Sequence, residues 1–460
     1  MRRYTRYLPL VIYTLLLGCQ KNNLNSDENL RELVTYTYPY VAIFNTLNNL
    51  VEKPQNSSVG TDGWNKLLIP TGLTDHFMTA IPRPNNDSLY LMASLDLRQE
   101  PVVIVYPPFD SDYIVLEVSS LDHSIDIPLS STKGDFTNMT KVLYYSDQTA
   151  QFKDFDTTKY DKVVKLNGDL GISFLRIMPH FSDTKRYENN IKLIKQTTIK
   201  TYTEYNNLPR LSQIPLNVPT FGSDIKVYSN NLLEVMQFIV NHLSFTKNIP
   251  IDKTMLSILV KYGVSPNNTN TSEFVTLDTE KLVTIMKDLK IEQYERYENF
   301  TIDDIHKIFL PNEISQIDNL LLATTVGPLG LPSTEAIYPD ILTEDGAPLN
   351  ALYDYKISMT KDNLPPANAF WSFTLYDTEK GLFLPNDYKK YSVGQNGGMK
   401  LNEDGGIDIY ISEIKPEGVA PENWLPVNRI DQLLDIILRM YQPDLETYKT
   451  WKAPLIQKIS

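Results

Sequence analysis

The sequence predicts a mainly β chain with α: two β-sandwich or barrel-type domains joined by a mostly helical middle section. Three observations predict it. Short β-branched and aromatic runs fill residues 67–180 and return after residue 320. Between them, apolar residues recur at spacings of three and four, the period of an amphipathic helix. The composition, with 28 tyrosines and 29 prolines against 19 glycines, suits many strands held by stiff connections. At 460 residues the chain exceeds one ordinary core, which calls for more than one domain.

The first element predicted is a secretory signal over residues 1–18. A basic head, Met1-Arg2-Arg3-Tyr4-Thr5-Arg6, precedes an apolar run from Leu8 to Leu17. That run is about half the length a membrane-spanning helix needs. It ends in Leu16-Leu17-Gly18-Cys19, which has the pattern of a bacterial lipobox with Cys19 as the lipid-attachment residue. Cys19 is the one cysteine in the chain, so no internal disulfide is available. Residues 19–30, polar and rich in Asn, read as a tether. A transmembrane anchor and an ordinary secretory signal are the alternatives. Localisation at the bacterial cell envelope, by lipid anchor alone, is the expectation.

Residues 31–184 are expected to form the N-terminal β domain. It opens on a helix over 31–50 that Pro39 would kink or divide. Val102 to Tyr106 and Tyr113 to Val118 are strand candidates. So are Val163 to Leu166 and Gly171 to Ile177. Residues 185–320 read as the helical middle section, with helices near 187–205, 232–245, 277–289 and 302–322. Residues 321–460 return to strand texture. Phe370 to Asp377 and Gly405 to Ser412 alternate as half-buried strands do. Arg429 to Tyr441 reads as a terminal helix on the apolar spacing of Ile430, Leu433, Leu434, Ile437 and Leu438.

The net charge is −13, and −16 once the three arginines of the signal are removed. Phosphate neutralisation needs clustered Lys and Arg, so no nucleic-acid partner is expected. The same balance disfavours anionic lipid surfaces beyond the anchor. Self-association into a homo-oligomer stays open.

Several segments resemble a known pair of domains. Pro84-Asn85-Asn86-Asp87-Ser88-Leu89-Tyr90, Ser94 to Leu97 and Glu100 to Val103 resemble the domain of unknown function numbered 1254. Glu335 to Tyr338, Leu364-Pro365-Pro366, Ala369 to Asp377, Asn423-Trp424-Leu425-Pro426 and Arg439-Met440-Tyr441-Gln442-Pro443 resemble its companion, numbered 1214. The resemblance implies two all-β domains in a family with exported members common. It implies no agreed activity.

Candidate ligand-binding residues follow, each with a structural alternative. Asn86 and Asp87, with Tyr90 beyond them, would orient a ligand hydroxyl or supply a general base; an Asx turn opening a strand is the alternative. Trp371, Asn423 and Trp424 offer aromatic faces with a nearby amide, or core packing. His123 with Asp126 hints at a metal, but no second ligand cluster stands at a recognised spacing, so no metal and no cofactor are predicted. Arg439 and Arg176 would bind a carboxylate bidentately, or hold an internal ion pair. No Gly-x-Ser-x-Gly elbow occurs, and Gly394 to Gly398 lacks the Lys of a phosphate loop. The leading functional class is an envelope-associated binding module for a small or amphipathic ligand. A hydrolase on a non-nucleotide substrate and a structural or surface-interaction protein are the alternatives. Converging titratable groups in one pocket would favour the enzyme.

Overall fold

The computed structural model describes residues 23–52, 60–79, 83–149, 155–245, 248–301 and 303–459. The signal segment and Cys19 lie outside the described residues.

The chain forms two β-sandwiches with a helical section between them in sequence. In the first sandwich one sheet runs in the order β1 (Lys66–Leu68), β2 (Leu89–Asp96), β8 (Leu170–Ile177), β4 (Ile114–Ser120), β5 (Ile125–Ser130). It faces β7 (Lys162–Leu166), β6 (Thr140–Ser146), β3 (Val102–Tyr106) and β9 (Thr198–Thr201). Period-two alternation decides what lies between the sheets. Leu89, Leu91, Ala93 and Leu95 point inward and meet Ile104, Tyr106, Val142 and Tyr144. Tyr90, Met92, Phe174 and Arg176 therefore occupy the opposite, outer face of the same sheet.

The second sandwich repeats this plan. One sheet is β10 (Ala336–Ile337), β17 (Leu433–Pro443), β13 (Ala367–Asp377) and β14 (Ser392–Gly394), with β11 (Leu349–Asn350) also on β17. The other is β16 (Trp424–Pro426), β15 (Ile407–Ser412), β12 (Tyr355–Met359) and β18 (Ile456–Lys458). Trp371, Phe373, Leu375, Leu438 and Met440 fill the space between with Ile357, Ile407, Ile409 and Leu425. Neither sandwich closes into a barrel among the described residues.

The helices are α1 (Asp27–Glu52), α2 (Thr184–Ile194), α3 (Tyr202–Tyr205), α4 (Asp224–Asn230), α5 (Leu232–His242), α6 (Pro250–Lys261), α7 (Thr279–Glu298), α8 (Ile317–Val326) and α9 (Leu445–Tyr448). Acidic Asp27 and Glu28 open α1, where they oppose the helix dipole. Pro39 sits inside α1 and the helix runs on through it. Its neighbours Tyr38, Tyr40 and Val41 are buried against other helices, and that packing outweighs one missing backbone bond. α1 packs on α4, α5, α6, α7 and α8, so it joins the helical section rather than the first sandwich. The helical core also takes in Met92, Ile172 and Phe174 from the outer face of β2 and β8. Close approach between the two units demands glycine at residue 168. A Cβ there would lie 2.4 Å from the His242 carbonyl oxygen.

Three expected helices differ. Arg429 to Tyr441 contributes a strand, β17, not a helix. Leu434, Ile436, Leu438 and Met440 are all buried at period two, while the intervening residues face the other way. Long pairing with β13, from Ala367 opposite Pro443 to Asp377 opposite Leu434, decides between the periods. Residues 187–205 divide into α2, β9 and α3, because Thr198 to Thr201 adds an edge strand to β3. Of the expected helix over 302–322, the described residues hold one short 3₁₀ turn, Ile305–Lys307, and then the start of α8; Pro311 stands between them.

Candidate functional site

The outer face of the first sandwich meets the outer face of the second along a seam, and charged groups are buried there. The segment Arg83 to Tyr90 threads between them. The Tyr376 hydroxyl donates to the Pro84 carbonyl at 2.6 Å, and the Arg83 backbone N–H donates to the Gly381 carbonyl at 2.6 Å. Asn85 forms an Asx turn, its side-chain oxygen accepting from the Asp87 N–H at 2.6 Å. Its amide also donates to the Tyr441 hydroxyl at 2.6 Å. Asn86 accepts from Ser392 Oγ at 3.1 Å and donates to the Thr74 carbonyl at 2.5 Å.

This clamp delivers Asp87 into the second sandwich. Its Oδ2 accepts from Ser372 Oγ at 2.6 Å and from Tyr441 at 3.3 Å. Ser372 lies opposite Arg439 in the β13–β17 register, and Phe370 opposite Tyr441. Ser372, Tyr376, Arg439 and Tyr441 thus share one face because strand neighbours alternate. Phe370 stacks on Tyr441 with ring centres 4.1 Å apart, and Tyr113 of the first sandwich packs on both.

Across the seam, Tyr90 lies opposite Arg176 on β2 and β8. Arg176 pairs with Glu117 of β4, and its guanidinium stacks over the Phe174 ring at 4.0 Å. Asp87, Glu117, Arg176 and Arg439 are all buried. Burial pushes the Asp87 carboxyl up; Arg439, Ser372 and Tyr441 pull it back without cancelling the effect. Burial likewise raises Glu117 against the pull of Arg176. The Tyr376 hydroxyl is pushed up to about 12 by burial.

Tyr338 lies at the edge of this seam. It is 42% exposed, yet burial is the largest cause lifting its hydroxyl, and it senses Arg439, Arg176, Glu117 and Asp87. Tyr297 of α7 has the same character, 38% exposed and raised chiefly by burial, with Asp340, Tyr338 and Arg83 around it. Tyr338 and Tyr297 are thus partly exposed tyrosines beside the buried charges of the seam.

Of the eight ligand-binding candidates, Asn86, Asp87, Tyr90 and Arg439 gather at this seam. The other four do not. Trp371 points into the core of the second sandwich, edge-on to Phe373. Trp424 spends its indole N–H on the Ser412 carbonyl and hydroxyl, at 3.1 and 3.0 Å. Asn423 clamps the backbone of Lys400 from both its amide atoms. His123 is buried in the turn after β4, where burial holds its imidazole down at about 4. Glu117, Ser372, Tyr376 and Tyr338 complete the site. A glutamate amid the β-branched run Ile114 to Val118 is the one signal of these visible in the sequence.

Among the described residues no group of three or more His, Cys, Asp or Glu side chains could hold a metal ion. A separate hollow of about 390 Å³ lies beside α5, lined by Gln148, Val240, Leu243 and Leu256 among others. Its charged residue Asp147 is paired with Lys165 at 2.6 Å, so it offers no comparable chemistry.

Residues 64–194 match the family model described as protein of unknown function (DUF1254), and residues 335–445 match that of DUF1214. The crystal structure of the VPA0106 protein from Vibrio parahaemolyticus is similar at 23% identity and a TM-score of 0.72. The match covers 94% of this chain and all (100%) of that one, and it shows a shared fold. An uncharacterized protein from Burkholderia cenocepacia is similar at 13% identity and a TM-score of 0.44, over 94% of this chain and 93% of that one. No curated protein matches the sequence.

Proposed function

We propose that this chain, which joins a DUF1254 domain to a DUF1214 domain, has a cleft at the seam between its two sandwiches that binds a small or amphipathic ligand. The observation that carries this reading is the burial of four charged groups, Asp87, Glu117, Arg176 and Arg439, where the sandwiches meet, with the partly exposed Tyr338 beside them. Structural seams are normally dry and neutral, because burying charge costs far more than burying apolar surface. A seam that retains two guanidiniums and two carboxyls is organised for something other than cohesion. We further propose that Cys19 carries lipid and holds the body at the bacterial envelope. Among the described residues no helix is long and apolar enough to cross a membrane, so the anchor would be the lipid alone.

The test is a thermal-shift screen of the full-length protein in detergent against sugars, fatty acids, peptides and metals. A ligand that binds only the folded state raises the midpoint. A shift that Arg439→Met abolishes supports the cleft; no shift from any compound removes the binding reading. Cys19→Ser should move the protein from the envelope pellet to the soluble fraction, and continued pelleting refutes the anchor.

A second reading is favoured by Asp87. A carboxyl raised by burial, bonded to Ser372 and Tyr441 and facing Arg439, is placed to act as a general acid or base on a bound substrate. In that case Asp87→Asn keeps ligand affinity and loses turnover.

A further inference from the structure

We propose that the ligand of this cleft is a monocarboxylate, whose carboxylate seats on Arg439 and whose apolar remainder lies toward Tyr90 and Tyr338. The proposal rests on the reading of the seam as a binding cleft and adds the chemical class of its occupant.

The two buried arginines differ in what neutralises them. Arg176 has Glu117 as its ion-pair partner and the Phe174 face beneath it. Arg439 has no carboxylate within 4.0 Å among the described residues. Its Nη2 donates to two uncharged oxygens, the Tyr376 hydroxyl at 2.7 Å and the Arg83 carbonyl at 3.3 Å. Its Nη1 is buried with no hydrogen-bond partner among the described residues, although the whole side chain is only 4% exposed. Asp87 acts on it by charge but directs its Oδ2 to Ser372 and Tyr441.

An unpaired buried guanidinium with an idle donor is among the costliest arrangements a core can hold. The idle Nη1 carries two N–H groups, and a carboxylate oxygen is an acceptor that forms a charge-assisted bond with them. With Asp87 bonded elsewhere, the idle Nη1 calls for an acceptor, and an anionic one answers the charge of the guanidinium directly. A carboxylate supplies that, whereas a phosphate dianion would overshoot it. The walls favour an apolar remainder, with Phe370 and Tyr441 stacked beside Arg439 and, on the first sandwich's side of the seam, the Tyr90 and Phe174 rings 5.1 Å apart.

The experiment is isothermal titration of the full-length protein with matched acid and amide pairs: phenylacetate against phenylacetamide, and hexanoate against hexanamide. Inorganic phosphate is a separate arm. The acids are expected to bind at least tenfold more tightly than their amides. Arg439→Met should erase that preference, and Arg439→Lys, which keeps the charge but not the fork, should recover part of it. Equal binding of acid and amide, undiminished acid binding by Arg439→Met, or tighter binding of phosphate would each overturn the carboxylate assignment and leave the cleft standing. If neither acids nor amides nor phosphate bind, and the broader thermal-shift screen is also silent, the cleft reading falls with it.

Discussion

Arg439 and Arg176 look alike in the sequence, one charged residue each in an apolar run, and the structure gives them opposite fates. Arg176 has a carboxylate in direct contact, whereas Asp87 acts on Arg439 by charge without an ion-pair contact. Removing one partner of a buried ion pair typically costs about 3–5 kcal/mol. Arg176→Met should therefore destabilise the protein by about that amount, since it strands Glu117. Arg439→Met should change stability by less than about 1 kcal/mol in the ligand-free protein, because it removes a desolvated charge as well as two neutral hydrogen bonds. Urea denaturation of both variants checks the contrast; equal large losses would mean that Arg439 has a compensating anion. At this scale Asp87, Tyr90 and Arg439 were legible, being polar groups inside apolar texture. For Trp371 the core-packing alternative is the one the structure shows, and the sequence left the choice open for a definite reason. It neighbours Ser372 in a strand aromatic on both faces, Phe370 and Tyr376 on one and Trp371 and Phe373 on the other. Alternation is then visible, but which face is the core is not.

The same ambiguity acts on elements. The run Ile430 to Tyr441 satisfies a helical stripe and a strand alternation at once, and only the pairing partner β13 chooses. The strand assignment makes a checkable distinction between adjacent residues. Leu438 is fully buried between the sheets of the second sandwich, whereas Ile437 is half-buried on the other face. Leu438→Ala should cost about 2–5 kcal/mol and Ile437→Ala clearly less, by chemical denaturation. Equal costs would argue for a helical stripe there. Trp424→Phe, which loses the indole bonds to Ser412, should cost about 1–3 kcal/mol and leave ligand affinity unchanged. Weakened affinity in Trp424→Phe would return that tryptophan to the site.

For the whole molecule, the helical section matters as much as either sandwich, and a buried acid pair marks where it docks. Asp122, in the turn after β4, accepts from Asn167 at 2.6 Å, and Asp252 of α6 accepts from Tyr40 of α1 at 2.5 Å. Burial, with each other's charge, pushes Asp122 up to about 7; burial chiefly pushes Asp252 up to about 6. The folded state thus holds protons that the unfolded chain releases near pH 4. The stabilisation is complete below that pH, and it is lost as pH rises toward about 7. Thermal melts across pH 4 to 8 should show this decline, and Asp122→Asn should flatten it. A profile unchanged by Asp122→Asn would rule the pair out as its origin. The overall order of β, helical and β sections was legible from composition and periodicity. The docking of α1 onto the middle helices was not, since nothing local in an amphipathic stripe names its partner.

The seam between the sandwiches is the claim on which the functional account turns. Hydrogen–deuterium exchange on the full-length protein, with and without a saturating carboxylate from the titration, addresses it residue by residue. Protection should concentrate in segments 83–90, 172–177, 336–340, 370–376 and 435–441. Protection confined instead to residues around Gln148, Leu243 and Leu256, or spread evenly over the chain, would contradict it.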